Sequence, residues 1–170
     1  MKSTLCIAVA LAGCGIADFD LDQKIVEQHV QGSNVPAPLG ALFPFPLSLD
    51  LSAQIKKQNS GPIDSITLKA LSLKITDTDR PAGDVDDWSF VTSIHVYVKS
   101  SASGSTLPRV EVASIGAPGA VTSFDFDIAA GVNLKPYVDE GSVVESEGTG
   151  SIPADDESYD GSSTFTVHPL

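Results

Sequence analysis

Basic residues are scarce in this sequence: ten lysines and arginines stand against 22 aspartates and glutamates, a formal charge of −12 over 170 residues. Binding of nucleic acid depends on clustered Lys and Arg that release counterions, and the one adjacent basic pair is Lys56 and Lys57, which excludes a polyanion-binding role. The same acidity disfavours adsorption of the chain as a whole to anionic lipid. Cysteine is scarcer still. Cys6 and Cys14 both fall within the first fourteen residues, so the remaining chain has neither a disulfide framework nor a Cys/His metal site. There is no G-x-S-x-G elbow, no G-x-G-x-x-G turn and no Walker loop. No apolar run approaches the roughly 20 residues needed to cross a bilayer as a helix, and no window of eleven or more residues carries a convincing helical stripe.

What is present begins with the leader. Lys2 supplies one positive charge, Leu5 to Leu11 an apolar run, and Ala12 and Gly13 the small residues before Cys14. That order is a secretory signal, and Leu11 Ala12 Gly13 Cys14 resembles the lipobox of bacterial lipoproteins. The resemblance implies a thioether-linked diacylglycerol on Cys14, cleavage between Gly13 and Cys14, and further acylation of the new amino group. Two or three acyl chains anchor stably where a single chain binds only marginally. Gly15 is not the aspartate that retains enteric lipoproteins in the inner membrane, so the resemblance points to the outer membrane. The chain divides accordingly into a signal peptide (1–13), a lipidated cysteine with a short tether (14–17) and one folded domain (18–170), a size that buries about 70% of the surface its unfolded chain exposes.

From Asp18 onward the apolar period is two, which predicts strands. Phe19 and Leu21 alternate with aspartates, and Leu47, Leu49, Leu51, Ala53 and Ile55 with polar residues. Ile66, Leu68 and Ala70 lead into Leu71, Leu73 and Ile75, a phase change that suits a β-bulge. Phe90 to Val98, Val110 and Val112, Phe124 to Ile128, and Phe165 with Val167 complete the series. The segment from Asp22 to Val30 reads as helix or strand. Turn clusters rich in Gly, Pro and Ser separate the runs. The prediction is an all-β fold: a single antiparallel β-sandwich of seven or eight strands, since one half-buried face per strand requires a second sheet to cover it. A barrel is the alternative. Leu68 to Leu73, Trp88 to Val98, Leu107 Pro108 and Leu134 to Tyr137 together resemble uncharacterised bacterial lipoproteins with an immunoglobulin-like sandwich; that likeness implies a fold and no activity.

Chemistry is sparse. His29, His95 and His168 fall in different predicted strands and read as solvent-facing residues, His95 sharing its face with Tyr97. The densest group of oxygen ligands is Asp77, Asp79, Asp84, Asp86 and Asp87, a candidate calcium loop of the low-affinity extracytoplasmic kind, although its spacing is not that of an EF-hand. A second acidic stretch, Asp155 to Gly161, reads as a solubilising tail. Phe43 and Phe45, between Pro44 and Pro46, form the most apolar segment beyond the leader, either folded inward or offered to lipid or a partner. The reading that follows is a non-enzymatic, lipid-anchored envelope module for another envelope protein or a surface polymer, without a required cofactor. A carrier of an apolar ligand, with Phe43 and Phe45 at the mouth of a cavity between the sheets, is second, and a hydrolase third. Gly15 to Ala17 span only about 10 to 15 Å when extended, which should hold the domain against the membrane with its acidic loops pointing away.

Overall fold

The computed structural model describes residues 17–33, 51–58, 61–76 and 86–170. Among the described residues there are eight strands: β1 (Phe19–Val30), β2 (Ile63–Thr76), β3 (Val91–Ser100), β4 (Val110–Ile115), β5 (Ser123–Asp125), β6 (Asp127–Ile128), β7 (Ser142–Gly150) and β8 (Glu157–Pro169). Two six-residue helices, α1 (Ser52–Lys57) and α2 (Lys135–Glu140), and a 3₁₀ turn (Trp88–Phe90) complete the described elements. The strands form two four-stranded sheets, β1-β8-β2-β5 and β6-β4-β3-β7, with every pairing antiparallel. The β-sandwich predicted from the apolar period is therefore the fold, with its strand count inside the predicted range. Its strand order has a feature of its own: the last strand lies between the first and second, whereas immunoglobulin constant domains pair first with second directly.

The sandwich forms because each long strand buries alternate side chains. Ile94, Val96 and Val98 of β3 are fully enclosed, as are Phe165 and Val167 of β8, and Ile66, Leu71 and Leu73 of β2 nearly so. At the centre of one end Trp88 is wholly buried against Phe90, Phe124 and Tyr159, with the Phe124 and Tyr159 rings edge-on at 5.0 and 5.4 Å between centroids. Such arrangements suit the aromatic quadrupole and stabilise by about 0.5–1.5 kcal/mol beyond area burial. The phase change near Ala70 is a β-bulge, with the register of β2 against β8 slipping between Leu68 and Ala70. One extra residue there lets both Leu68 and Leu71 face the core while Ala70 turns outward.

Four expectations are corrected or resolved. The alternation predicted as strand through Leu51, Ala53 and Ile55 ends in a helix, α1, whose sequence permits either state; Leu47 and Leu49 lie outside the described residues. Asp22 to Val30 is strand, broken by a bulge in which Glu27 takes φ 53°. The run from Phe124 to Ile128 is two short strands on different sheets, β5 beside β2 and β6 beside β4, so the chain crosses between layers at Phe126. The acidic stretch read as a tail enters β8 at Glu157, an interior strand of the first sheet, with Tyr159 fully buried. Beside it Gly161 admits no side chain, since a Cβ would stand 2.6 Å from the Ser72 carbonyl oxygen and 2.7 Å from Leu73 Cδ2.

The register gives the molecule two distinct ends. Phe19 of β1, Val167 of β8 and Ile66 of β2 stand abreast, and α1, α2 and residues 101–108 gather at that end. Asn133 Oδ1 accepts the Ile66 and Lys135 amides, the Leu134 amide donates to the Ile66 carbonyl, and the Tyr137 hydroxyl donates to the Pro108 carbonyl at 2.8 Å. Together these fasten α2 to both β2 and the 101–108 loop. At the opposite end lie residues 31–33, 86–90, 116–122 and 151–156, joined by the Ser33 amide to Pro153, the Trp88 amide to Val121 and the Ser151 amide to Phe90.

Candidate functional site

The outer face of the second sheet carries the most organised polar group among the described residues. Because β3 buries Ile94, Val96 and Val98, the alternate residues His95, Tyr97 and Lys99 must point outward. Pairing places Tyr97 opposite Glu111 of β4 on one side and Glu145 of β7 on the other, and places His95 opposite Glu147. A register slip between Val96 and Tyr97 aligns Glu111 with the tyrosine.

Arg109, just before β4, reaches across β3 to β7. Its guanidinium lies over the Tyr97 ring, 3.4 Å from the centroid, while Nε donates to Glu145 at 3.1 Å and Nη2 to Glu147 at 2.6 Å. Lys99 also pairs with Glu145. His95 Nδ1 meets Glu111 Oε2 at 3.0 Å, the imidazole donating because a carboxylate can only accept, and its ring lies 6.3 Å from that of Tyr97 at 22°. The Tyr97 ring is thus flanked by an imidazole and covered by a guanidinium.

The charges are tuned by these contacts. Hydrogen bonding from Lys99 holds the Glu145 carboxyl below its ordinary range, against a smaller opposing effect of burial and with help from Arg109. Partial burial would raise Glu111, but hydrogen bonds from His95, Ser114 and Tyr97 outweigh it and lower its pKa. The Tyr97 hydroxyl is raised by burial and by the neighbouring Glu111 and Glu147 charges. Desolvation opposes the charge on Arg109, yet Glu145 and Glu147 hold it more firmly protonated than usual. Chemically, the face is an ordered array of hydrogen-bonding groups around one aromatic ring.

The residues singled out in the sequence are distributed differently. Cys14, Phe43, Phe45, Asp77, Asp79 and Asp84 lie outside the described residues. Asp86 is buried, and Asp87 accepts the Ser89 amide at 2.8 Å, capping the 3₁₀ turn. Among the described residues no group of three or more His, Cys, Asp and Glu side chains is placed to hold a metal ion. His95 faces outward beside Tyr97 as its alternation implies, whereas His29 and His168 belong to the other sheet, near opposite ends of it, and His168 pairs with Asp18 at 2.8 Å. The structure does not bring the three together. Arg109, Glu111, Glu145 and Glu147 were not legible as a group; the one local signal is the period-two spacing of Glu145 and Glu147.

No known protein family and no curated protein matches the chain. Among solved structures it is similar to turnip yellow mosaic virus, at 14% identity and a TM-score of 0.28 over 100% of this chain and 92% of the other. A structure of the empty head of the same virus gives 15% identity and a TM-score of 0.28, covering 99% and 92%. Likeness at that level carries no argument about function.

Proposed function

We propose that this protein is a lipid-anchored lipoprotein of the bacterial cell envelope, at the outer membrane, whose sandwich is a non-enzymatic binding module for another envelope protein or a surface polymer. The observation that carries the binding role is the Arg109 latch over Tyr97. Tyrosine and arginine are the residue types that dominate binding hot spots. Here the arginine is already ordered by a ring and two carboxylates, so little side-chain entropy remains to be lost on association. The anchor rests on the order of charge, apolar run and lipobox that ends at Cys14.

Two substitutions test the two halves. Cys14→Ala should abolish incorporation of a labelled fatty acid and leave an uncut precursor; labelling that persists would refute the anchor. A photo-crosslinking residue at Thr149, beside Glu147 on the same sheet, should give a discrete adduct in intact cells that Arg109→Ala weakens several-fold and Asp22→Ala, on the other sheet, does not. An adduct indifferent to Arg109, or none, would refute the binding face.

A further inference from the structure

We infer that the end of the sandwich carrying α1 and α2 rests on the bilayer, and that the cleft between these helices takes up an acyl chain of a membrane phospholipid. The inference rests on the anchor proposed above and adds to it a contact surface and an orientation.

The path of the chain comes first. Cys14 precedes Phe19 by five residues, a reach of roughly 17 Å when extended. Phe19 stands abreast of Ile66 through Val167, two strand spacings or about 10 Å away. A lipid on Cys14 is therefore delivered beside the α1–α2 end, whereas the opposite end, at Thr76 of β2, lies about 33 Å further along the strand axis.

The two ends also differ in charge. Among the described residues, the loops and helices of the tether end (17–18, 51–58, 61–62, 101–108 and 129–141) carry Lys56, Lys57 and Lys135 against Asp18, Asp139 and Glu140. Those of the far end (31–33, 86–87, 116–122 and 151–156) carry Asp86, Asp87, Asp155 and Asp156 and no lysine or arginine. An anionic membrane repels the far end and not the tether end, and within about one Debye length, ~8 Å, that difference fixes which way the domain stands.

The cleft supplies the contact. Ile55 of α1, Ile63 and Ile66 of β2 and Val138 of α2 line an open volume of about 260 Å³, with Lys56, Lys135 and Asp139 at its rim. An apolar floor with lysines at the rim matches a lipid, whose chain is apolar and whose phosphate is anionic; lysine stems can lie along the chain while their ammonium groups meet the headgroup. Lys135 is held by Asp139 one turn later on α2, and Lys56 is exposed beside Lys57.

The test uses the full lipidated protein in vesicles of phosphatidylethanolamine and phosphatidylglycerol. Cleavage removes Cys6 and the thioether occupies Cys14, so Val138→Cys and Ala154→Cys each provide one thiol for a fluorophore, in the cleft and at the far end. Nitroxide lipids labelled on the acyl chain should quench the label at position 138 at least about threefold more than the label at 154, and more than headgroup-labelled lipids do. Equal quenching at the two positions on a lipidated chain would overturn the inference, and stronger quenching from headgroups than from acyl chains would overturn the occupancy of the cleft. Intact mass reads the lipid on Cys14 in the same sample; its absence would overturn the anchor and this inference together.

Discussion

Both outer faces of the sandwich carry a cation that reaches across a middle strand. On the first sheet Lys69 of β2 spans β8 to Asp20 of β1, 2.5 Å from Nζ to Oδ2, and Asp20 also accepts the Thr166 hydroxyl at 2.7 Å. On the second sheet Arg109 spans β3 to two glutamates of β7. The other contacts of the first face include the His168 pair with Asp18 and hydroxyls meeting their neighbours: Thr164 to Asp22, Ser72 with Ser162, Thr76 with Ser158. Lys69 is a point charge whose side chain is 57% exposed; Arg109 is a planar fork over an aromatic ring and is 35% exposed. The same topological task thus produces a screened surface contact on one sheet and a rigid, directional array on the other.

The largest expected effect lies beneath the latches, on the inner side of the middle strands. Phe165→Ala in β8 should cost about 3–5 kcal/mol, because a fully buried ring is replaced by a cavity. Urea unfolding measures it, and a loss no larger than that of removing a latch would mean the first sheet is not held by its core. A smaller effect distinguishes the latches themselves. Arg109→Lys should lower the melting temperature by a few degrees at most, with about half of the loss gone in 1 M salt, while Lys69→Arg should leave it unchanged. Equal responses would erase the contrast between a fork and a point charge.

The smallest effect is in the acid limb of stability. Asp20 is held below its ordinary 3.8 by hydrogen bonds from Lys69 and Thr166, and Glu145 below 4.5 mainly by Lys99. A depressed carboxyl binds fewer protons folded than unfolded. Its contribution is therefore complete above the unfolded value and fades as pH falls through the folded one. On acidification the glutamate face should begin to weaken first, near pH 4.5, and the aspartate face only near 3.8. Glu145→Gln should flatten the fall of melting temperature from its upper edge, and Asp20→Asn only its lower part. The reverse order would overturn the assignment of these two carboxyls as held below their ordinary values.

The sequence by itself determined the all-β class and the inward residues of most long strands. Each depends on spacing a few residues wide: period two places Ile94, Val96 and Val98 inside and His95 with Tyr97 outside whatever the partner strands are. The bulge after Leu68 belongs here too, since a phase change in one strand is visible without its neighbour. Only the tertiary structure decided the rest. That β8 is an interior strand despite its acidic start follows from its lying between β1 and β2, which cover both its edges. The split of Phe124 and Ile128 between two sheets was set by which edges were open to pair, and α1 by docking of Ile55 on the core. The Arg109 latch joins residues 36 and 38 positions apart, and the hydroxyl contact of Thr164 with Asp22 joins residues 142 apart. Local patterning determines which face a side chain takes, but its neighbour on that face comes from whichever strand is paired alongside, and pairing is settled by burial over the whole chain.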